Sequence, residues 1–440
     1  MQRLTTWFLV MAFSSSAAHA AQNLDGSLDA SFGSGGHKLV DVSSSAVDKG
    51  KVLRIQQDGK LLIAGTCGTA SLIYFCATRL APNGASDPGF GANGTGSMTF
   101  DRFFAQGFPT SETLSDMLSL SDGRILFLGL GTLAMLSADG SVLDTGSGGG
   151  SGFVYPANFG NNALLEQADH KILVVGYASR NDGSGNYDMN VQRFLPDLSI
   201  DTAFGTGGNQ SVVFNLGFSS SVATSVAVQT NGNIVLAGFV AFNGQAGKSV
   251  GIARLLPDGQ LDPAFGGGAP IYQTYNPENV AFAVRIDPQG RIVYAGYSAT
   301  DTNFSTRRCL INRLLANGNQ DFSFNANQPL MFTVPVSSNN VPCEMVDLAV
   351  LGNGAVLAVG SLIDVYYTAV KVTPAGTFDP TFGVGGIYYG GFDPAATNSI
   401  VRSGAMAIGS GVTIAGANLG SDTQFGITQL RLRIFANGFE

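Results

Sequence analysis

Seven times along this chain an apolar, strand-like run ends in a glycine. The intervals between successive glycines are 64, 47, 62, 58, 64 and 56 residues, and they average about 58. The anchor glycines are Gly65, Gly129, Gly176, Gly238, Gly296, Gly360 and Gly416. An interval of this length predicts a repeat protein, because each unit is one supersecondary element that buries its apolar faces against its neighbours.

Composition favours β-structure and excludes some partners. Charged residues make up 12% of the chain and glycine accounts for 59 of its 440 residues, which is typical of strands joined by many turns. The formal net charge is −8 and the basic residues are scattered, so nucleic acid is not an expected partner. We therefore expect an all-β protein.

Residues 1–20 predict a signal peptide. Arg3 precedes an apolar run at residues 7–13, and Ala-His-Ala at residues 18–20 provides a small-x-small cleavage site. The run is too short to span a bilayer, and no later run of 18 apolar residues follows. Residues 21–440 are expected to form a single exported domain, monomeric and without a membrane span.

The four cysteines form two pairs that are close in sequence. Cys67 and Cys76 make one pair, and Cys309 and Cys343 make the other. In an exported chain such pairs predict two disulfides, the alternative being four buried free thiols. Neither spacing matches a zinc site, and only two histidines follow the signal peptide.

Each unit begins with a strand, a two-residue turn and a second strand that ends at the anchor glycine. Asp-Gly and Asn-Gly turns tolerate the positive φ that tight hairpins require. The run before Gly65, residues 61–64 (LLIA), predicts a strand covered on both faces, and the glycine predicts a bulge or a close backbone approach. The turns are Asp58-Gly59, Asp122-Gly123, Asp169-His170, Asn231-Gly232, Gln289-Gly290, Asn353-Gly354 and Ser410-Gly411.

A second hairpin follows in each unit, with a basic residue at one register and then an Asp-x-x-Phe segment. Residues 261–268 (LDPAFGGG) show this segment in full, and a fourth strand comes after it, as at 210–214. The second unit departs, with Met135 at the basic position and a Gly-Ser stretch at 146–152. The basic residues are Arg79, Arg193, Arg254, Arg313, Lys371 and Arg433. The Asp and Phe residues are Asp29 and Phe32, Asp87 and Phe90, Asp201 and Phe204, Asp262 and Phe265, Asp321 and Phe324, and Asp379 and Phe382.

Seven units of four strands predict a seven-bladed β-propeller, and a linear solenoid is the alternative. Residues 25–33 are the part of a unit that follows the second turn, whereas the chain stops at 437–438, where that part should begin. The N- and C-terminal segments are therefore expected to share one blade, with its last strand near 36–42, and to close the ring. A solenoid would instead need capping repeats at both ends.

Residues 25–36 (DGSLDASFGSGG) and 58–65 (DGKLLIAG) resemble the delta-60 repeat family of bacterial surface and secreted proteins. The resemblance covers nearly the whole chain after the signal peptide, six units well and the second poorly. It implies an exported all-β propeller, in the periplasm, at the cell surface or outside the cell, and brings no agreed activity and no catalytic residues. Residues 434–440 (IFANGFE) resemble short endings of some exported bacterial proteins, but Arg433 in repeat register favours a final strand and turn.

The strand order predicts two different ends of the molecule. Both two-residue turns of each unit fall at one end, the turn end, and the irregular segments fall at the other, the loop end. Binding residues concentrate on irregular loops held by a rigid scaffold, so ligand binding is expected at the loop end. The irregular segments are 66–74, 101–115, 177–189, 239–249, 297–308, 337–343 and 417–425.

The recurring polar residues have structural interpretations. Each recurring Asp is expected to cap its own turn, with the Phe filling the base of the blade, instead of joining a metal-binding ring. Each recurring basic residue is expected to bridge strands or blades instead of binding ligand. Residues 182–188 (DGSGNYD) carry alternating oxygen side chains like a calcium loop, but Tyr187 and Arg193 stand where such a loop needs Gly and Glu, which favours a plain polar loop. The calcium ligands would be Asp182, Ser184, Asn186 and Asp188.

Catalytic groups are hard to assemble from this sequence. His37 and His170 are both expected to face solvent, which leaves little material for a Ser-His-Asp arrangement. Trp7, in the signal peptide, is the single tryptophan, so propeller families defined by tryptophan motifs do not match. Paired acids for glycoside hydrolysis stay open as an alternative. The acids in or near loops are Glu112, Asp116, Glu166, Glu278 and Glu344.

We therefore expect a secreted or cell-surface binding scaffold whose loop end takes an extracellular protein or a glycan, with no catalytic residues and no cofactor apart from the calcium alternative. The rival hypothesis is a hydrolase or lyase that acts on extracellular polysaccharide through an acidic central site. Carboxylates that converge in the central opening would favour the rival. A purely structural envelope component, the third hypothesis, predicts no pocket.

Overall fold

The structure is a computed structural model. It describes residues 25–43, 47–69, 73–91, 94–100, 113–129, 132–141, 153–154, 159–180, 182–214, 218–242, 247–337, 339–362, 366–393, 399–400, 406–409, 411–419 and 423–432. The predicted signal peptide lies outside these residues. Among the described residues, no helix is long and apolar enough to cross a membrane.

The described regular structure is almost entirely β, with 3₁₀ helices at Phe304–Thr306 and Asn325–Asn327. In chain order the strands are β1 (His37–Val40), β2 (Val47–Ile55), β3 (Leu61–Gly68), β4 (Ile73–Leu80), β5 (Ser97–Phe100), β6 (Leu114–Ser119), β7 (Ile125–Gly129), β8 (Thr132–Leu136), β9 (Phe153–Val154), β10 (Phe159–Glu166), β11 (Ile172–Ser179), β12 (Tyr187–Phe194), β13 (Asn209–Val212), β14 (Phe218–Val228), β15 (Ile234–Phe242), β16 (Lys248–Leu255), β17 (Ile271–Gln273), β18 (Glu278–Ile286), β19 (Ile292–Ala299), β20 (Arg307–Leu314), β21 (Leu330–Phe332), β22 (Val334–Val336), β23 (Asn339–Val341), β24 (Glu344–Val350), β25 (Val356–Leu362), β26 (Tyr366–Val372), β27 (Ile387–Gly390), β28 (Ser399–Ile400), β29 (Met406–Ile408), β30 (Gly411–Leu419) and β31 (Thr423–Arg431).

Within a unit the strands pair antiparallel in sequence order, as β10 to β13 do in the third unit and β24 to β27 in the sixth. Because successive strands reverse direction, both short turns of a unit lie at one end, as expected. The strands extend further into the predicted loops than expected: β3 continues to Gly68 and β4 begins at Ile73. At the loop end, the third strand of one unit starts beside the first strand of the next, where Lys248 pairs in parallel with Glu278.

Adjacent units pack through their buried faces. One cluster joins Ile311 and Phe332 of the fifth unit to Val356 and Val370 of the sixth. The recurring phenylalanines are each no more than 1% exposed and lie at the turn end of these interfaces. They fill the base of their units, as predicted. They are Phe32, Phe90, Phe204, Phe265, Phe324 and Phe382.

Six of the anchor glycines, all but Gly416, are seen opposite a bulge in the first strand. Gly296 pairs with Ala281, and the register then shifts by one residue at Phe282. A Cβ added to Gly296 would lie 1.9 Å from the carbonyl oxygen of Val280, so a larger residue requires the backbone to move. The same 1.9 Å approach to a first-strand carbonyl occurs at Gly65, Gly176, Gly238 and Gly360. Of the two alternatives predicted for the glycine, the close backbone approach is confirmed, whereas the bulge lies in the facing strand.

The N-terminal segment completes the sheet of the last unit. β1 pairs antiparallel with β31, with His37 opposite Thr428. Upstream of β1, the main-chain nitrogen of Gly26 donates to the carbonyl of Arg431 at 2.7 Å. The expected sharing of one unit by the two ends of the chain is therefore present in the strand pairing.

The expected register of Arg433 is wrong. Gln429 pairs with Thr413 at the position where the third strand of most other units carries arginine or lysine. β31 ends at Arg431, and N-terminal residues make the hydrogen bonds that a turn after this strand would otherwise make. Arg433 and residues 434–440 lie outside the described residues.

The recurring arginines link neighbouring units. Nε of Arg313 lies 2.6 Å from Oδ2 of Asp321, and Nη1 donates to the carbonyl of Pro374 in the next unit at 2.7 Å. The guanidinium also lies 4.9 Å from the centre of the Phe324 ring. Arg79, Arg193 and Arg254 make the same three kinds of contact. The predicted bridging role is confirmed, and we call this arrangement the arginine latch.

The recurring aspartates cap their own turns, as predicted. Oδ1 of Asp321 accepts the main-chain hydrogen of Ser323 at 2.9 Å, and Oδ1 of Asp262 accepts that of Ala264 at 2.8 Å. Their other carboxylate oxygen faces the arginine of the latch. The two oxygens are thus both used in holding the fold.

In the sixth unit a lysine replaces the arginine and reaches the N-terminal segment. Nζ of Lys371 lies 2.5 Å from Oδ2 of Asp25 and 3.2 Å from Oδ2 of Asp379. Both Lys371 and Asp25 are buried. This ion pair ties the sixth unit to the shared last unit.

Both predicted disulfides are present. Cys67 in β3 is bonded to Cys76 in β4, with Cα atoms 5.8 Å apart. Cys309 in β20 is bonded to Cys343, with Cα atoms 5.1 Å apart. The second bridge joins the fifth unit to the sixth and spans the β22–β23 hairpin that lies between them.

Candidate functional site

The first strands of the repeat units surround a cavity of about 510 Å³. Its lining comes from β2, β6, β10, β14, β18, β24 and β29, one strand from each unit. Aliphatic side chains such as Leu53, Leu164 and Met406 form most of the wall and are buried, whereas Ile55 and Ile286, nearer the turns, are partly exposed. The lining residues lie between the bulge and the first turn of the units, as residues 224–228 of β14 do, so the cavity lies in the turn-end half of the molecule, opposite the end where the sequence predicted binding.

Two chains, each made of an ion pair and a hydrogen bond, link the strands that form the wall of the cavity. Nη2 of Arg54 lies 2.8 Å from Oδ1 of Asp116 in the second unit, and Oδ2 of Asp116 accepts the main-chain hydrogen of Leu164 in the third unit at 2.8 Å. One chain thus spans three consecutive units. Arg285, Asp347 and Met406 form the same chain from the fifth unit to the seventh.

The bulged residues of the first strands link neighbouring units through side-chain hydrogen bonds. In each case a side chain donates to the carbonyl that immediately precedes the bulge of the next unit. The donor and acceptor residues are Lys51 and Leu114 at 2.8 Å, Asn162 and Ala223 at 2.7 Å, and Thr224 and Ala281 at 2.6 Å. Phe282, the bulged residue of the fifth unit, is apolar and packs against the cluster that contains Val346 and Met406.

A group of charged side chains and one tyrosine lies at the loop end between the fourth, fifth and sixth units. We call Lys248, Glu278, Tyr297, Arg307 and Glu344 the loop-end cluster. Oε1 of Glu278 lies 2.9 Å from Nζ of Lys248 and accepts the Tyr297 hydroxyl at 3.2 Å. The Arg307 guanidinium stacks 3.9 Å from the centre of the Tyr297 ring and donates to Glu344. Burial raises the pKa of Tyr297, so its hydroxyl keeps the proton that it donates.

The predicted acids do not form a free catalytic pair among the described residues. Asp116 and Glu166 line the cavity, whereas Glu278 and Glu344 belong to the loop-end cluster. Each of these four carboxylates is engaged by protein donors. Glu112 lies outside the described residues.

The histidines do not build a catalytic relay. His170 uses Nδ1 for both its contacts, with Oγ of Ser121 at 2.9 Å and with Oε1 of Glu166 at 3.0 Å. A relay needs one ring nitrogen for the serine and the other for the acid. The expectation that His37 faces solvent is wrong, because β1 lies against β31 and Nδ1 of His37 contacts Oγ1 of Thr428 at 3.0 Å.

The calcium-like segment uses its oxygens locally. Oδ1 of Asp182 accepts the main-chain hydrogen of Ser184, and Oγ of Ser184 accepts that of Asn186. Asp188 pairs with Arg180 at 2.8 Å. Within the described part of the chain, no group of three or more His, Cys, Asp or Glu side chains is placed to hold a metal ion. Calcium binding here stays a prediction.

Sequence reasoning did not find Lys248, Tyr297 or Arg307. Tyr297 directly follows the anchor glycine Gly296, and Lys248 and Arg307 each begin the third strand of a unit. Lys248 and Arg307 pair with the residue three after the anchor glycine of their own unit, Ala241 and Ala299, but they lie 10 and 11 residues after that glycine in sequence, so a count from the glycine alone does not select them.

Three of the latch aspartates, Asp87, Asp201 and Asp321, have a lowered pKa and make stability depend on acid pH. Burial raises the pKa of Asp201, but the charge of Arg193 and hydrogen bonds from Lys171 and Ala203 lower it overall. In Asp321, hydrogen bonds from Ser323 likewise outweigh burial and lower the pKa. A lowered folded pKa gives stability that is present above the unfolded value of about 4 and lost as pH falls through the folded value.

We therefore expect the urea midpoint to hold between pH 7 and pH 5 and to fall steeply from pH 4 to pH 3. The measurement is urea unfolding at these four pH values, followed by circular dichroism. The variant Asp201→Asn should start from a lower midpoint and lose less of it on acidification, because it has one titrating latch fewer. Parallel acid dependence in both proteins would contradict the assignment.

Comparison with known proteins supports the class of fold. Three segments, residues 56–90, 167–204 and 229–265, match a family described as a domain of unknown function (DUF5122), beta-propeller. The matches lie in the first, third and fourth units and run from the first turn to the Phe of the Asp-x-x-Phe segment. The chain is thus an all-β protein that carries β-propeller repeats, a fold that serves in general as an interaction scaffold.

The chain is also similar to solved structures at low identity. Semaphorin 2a from Drosophila is 10% identical over 87% of this chain and 73% of its own, with a TM-score of 0.48. Sqt1 from Chaetomium thermophilum is 10% identical over 88% and 96%, with a TM-score of 0.46. A putative gluconolactonase is 14% identical over 72% and 89%, with a TM-score of 0.37. No curated protein matches the sequence significantly.

Proposed function

We propose that the chain is an exported seven-bladed β-propeller, with four-stranded blades and one blade shared by its two ends, that acts as a binding module through its loop end. The cavity lined by one strand of each unit supports the ring, and the pairing of β1 with β31 supports its closure. The two disulfides support export to an oxidising compartment, the periplasm, the cell surface or the medium.

The loop-end cluster is the observation that carries this proposal. Its ion pairs hold the starts of strands from three units, from which the irregular loops emerge. Glu278 and Glu344 are buried, and Arg307 is fixed against the ring of Tyr297. A rigid platform of this kind lowers the entropic cost of ordering loops around a partner. The partner that fits an exported scaffold is an extracellular protein or a glycan.

A polysaccharide hydrolase or lyase with an acidic central site is the alternative. The hydrogen bonds of the carboxylates in the cavity wall argue against it. An acid or base must have an oxygen that can exchange a proton with substrate. Asp116 already accepts from Arg54, Met117 and Leu164. Asp347 is used in the same way by its ion pair and two main-chain donors.

Glycan and protein arrays probed with the chain lacking its signal peptide test the proposal. Any ligand found is then titrated against two variants: Asp301→Ala/Asn303→Ala in the exposed loop between β19 and β20, and Asn353→Ala in the turn between β24 and β25. The loop variant is expected to bind at least fivefold more weakly, and the turn variant to bind like the parent. Loss of binding only in the turn variant would refute a loop-end site.

A further inference from the structure

The cavity wall carries a cationic group that the fold uses only in part. Nη1 of Arg285 donates to the carbonyl of Val284 and Nη2 to Oδ1 of Asp347, both at 2.8 Å. A guanidinium has five N–H donors, and 39% of this side chain is exposed, against 25% for Arg54 in the matching pair. Arg285 can therefore donate to a further acceptor without releasing Asp347.

Apolar side chains line the cavity together with Arg285 and its partner Asp347. Ile286, Val346 and Met406 line the same cavity. Phe282 packs on one side with the cluster that contains Val346 and Met406, and on the other with the group that contains Tyr297. Its ring therefore separates the cavity from the loop-end cluster. The result is a chamber with mostly aliphatic side chains in its wall and a positively charged hydrogen-bond donor in the turn-end half of the molecule.

We propose that this chamber binds a small amphipathic carboxylate, with the carboxylate on Arg285 and the apolar body against the aliphatic wall. The volume of about 510 Å³ lies in the range of small-molecule sites. A guanidinium matches a carboxylate in geometry as well as charge, because two parallel hydrogen bonds can form. This site is separate from the loop-end surface, and its test does not depend on the proposed function.

Straight-chain amphiphiles serve as probes, because they vary the head group and the apolar length separately. Isothermal titration of the chain lacking its signal peptide is expected to show one octanoate bound per chain. Hexanoate, which is two methylenes shorter, should bind roughly fifteenfold more weakly, because each methylene removed from water changes affinity about fourfold. Octanol and octylamine, which lack the carboxylate, should bind at least tenfold more weakly than octanoate.

Two variants act on the site in different ways. Arg285→Met/Asp347→Asn removes both charges together, so that no buried carboxylate is left unpaired, and should weaken octanoate binding at least tenfold. Ala163→Leu adds bulk to the wall of the cavity without changing charge and should weaken all the probes. Ala168→Leu, in the exposed turn after β10, is the matched control and should bind like the parent.

Circular dichroism and urea midpoints establish that each variant is folded before it is titrated. The proposal is overturned if octanoate fails to bind the parent, or if it binds the parent and both cavity variants equally, which would place binding elsewhere. Equal affinity for octanoate, octanol and octylamine would also overturn it, since Arg285 would then make no contribution.

Discussion

Replacing Arg313 by alanine is expected to lower the free energy of unfolding by about 3–5 kcal/mol, which is a large part of the stability of an ordinary domain. Arg313 is 1% exposed and Asp321 is 4% exposed, so the substitution takes the closer of two arginines away from a buried carboxylate and leaves only Arg291, whose Nη1 lies 3.4 Å from Oδ2 of Asp321. It also removes the hydrogen bond to Pro374 in the next unit and the stacking on Phe324. Urea unfolding followed by circular dichroism and by intrinsic tyrosine fluorescence measures the loss.

Two control variants distinguish the contribution of the arginine latch to the free energy of unfolding from the effect of removing any charged side chain. Arg124→Ala breaks the pair of Arg124 with Asp122, whose side chains are 28% and 49% exposed, and should cost no more than about 1 kcal/mol. The double variant Arg313→Ala/Asp321→Ala removes both buried charges and should be more stable than Arg313→Ala alone. Equal losses for the exposed and the buried arginine would show that the latch contributes little.

Local patterns were enough to predict the strand order, because the turns and the anchor glycines each have one strong steric requirement. Gly296 has to let the Val280 carbonyl approach to 1.9 Å from where a Cβ would stand, and only glycine does so without strain. The recurring Asp, Arg and Phe were assigned correctly for a similar reason. Their contacts lie within one unit or between a unit and its successor, at fixed distances along the chain.

The site was harder to predict, because it depends on how units are staggered. The contact of Lys248 with Glu278 forms only because β16 and β18 start side by side, and no local pattern records that pairing. The position of the bulge determines which residues of each first strand face the cavity. The sequence does not show at which residue the bulge lies. Gln429 took the position assigned to Arg433 because the last unit combines β31 with N-terminal residues, so the spacing between the basic residue and the second turn that holds in the other units does not apply there.

Removing residues 25–40 is expected to abolish cooperative folding of the remaining chain. The deletion takes away β1, the buried Phe32 and Asp25, the nearer of the two carboxylates paired with Lys371. β31 would then present an unpaired edge, and unpaired edges promote association between chains. Size-exclusion chromatography should show aggregated material, and thermal unfolding should lose its single sharp transition. A monomeric product that unfolds like the parent would show that the N-terminal segment is dispensable.

A disulfide between β1 and β31 should have the opposite effect to the deletion and stabilise the protein. His37 and Thr428 are directly opposite on β1 and β31, and both are buried, so the double variant His37→Cys/Thr428→Cys can form a disulfide across the shared unit. The bridge would close a loop of nearly the whole chain, which constrains the unfolded state and should stabilise the oxidised protein by a few kcal/mol, up to about 5. Thermal unfolding with and without a reductant measures the difference, and each single cysteine variant controls for the loss of the contact between His37 and Thr428. Because reduction breaks only the engineered bond, a gain in unfolding temperature that vanishes on reduction would confirm that β1 and β31 lie side by side in the folded protein. Failure of the two cysteines to form a bridge, or equal unfolding temperatures with and without reductant, would contradict this pairing.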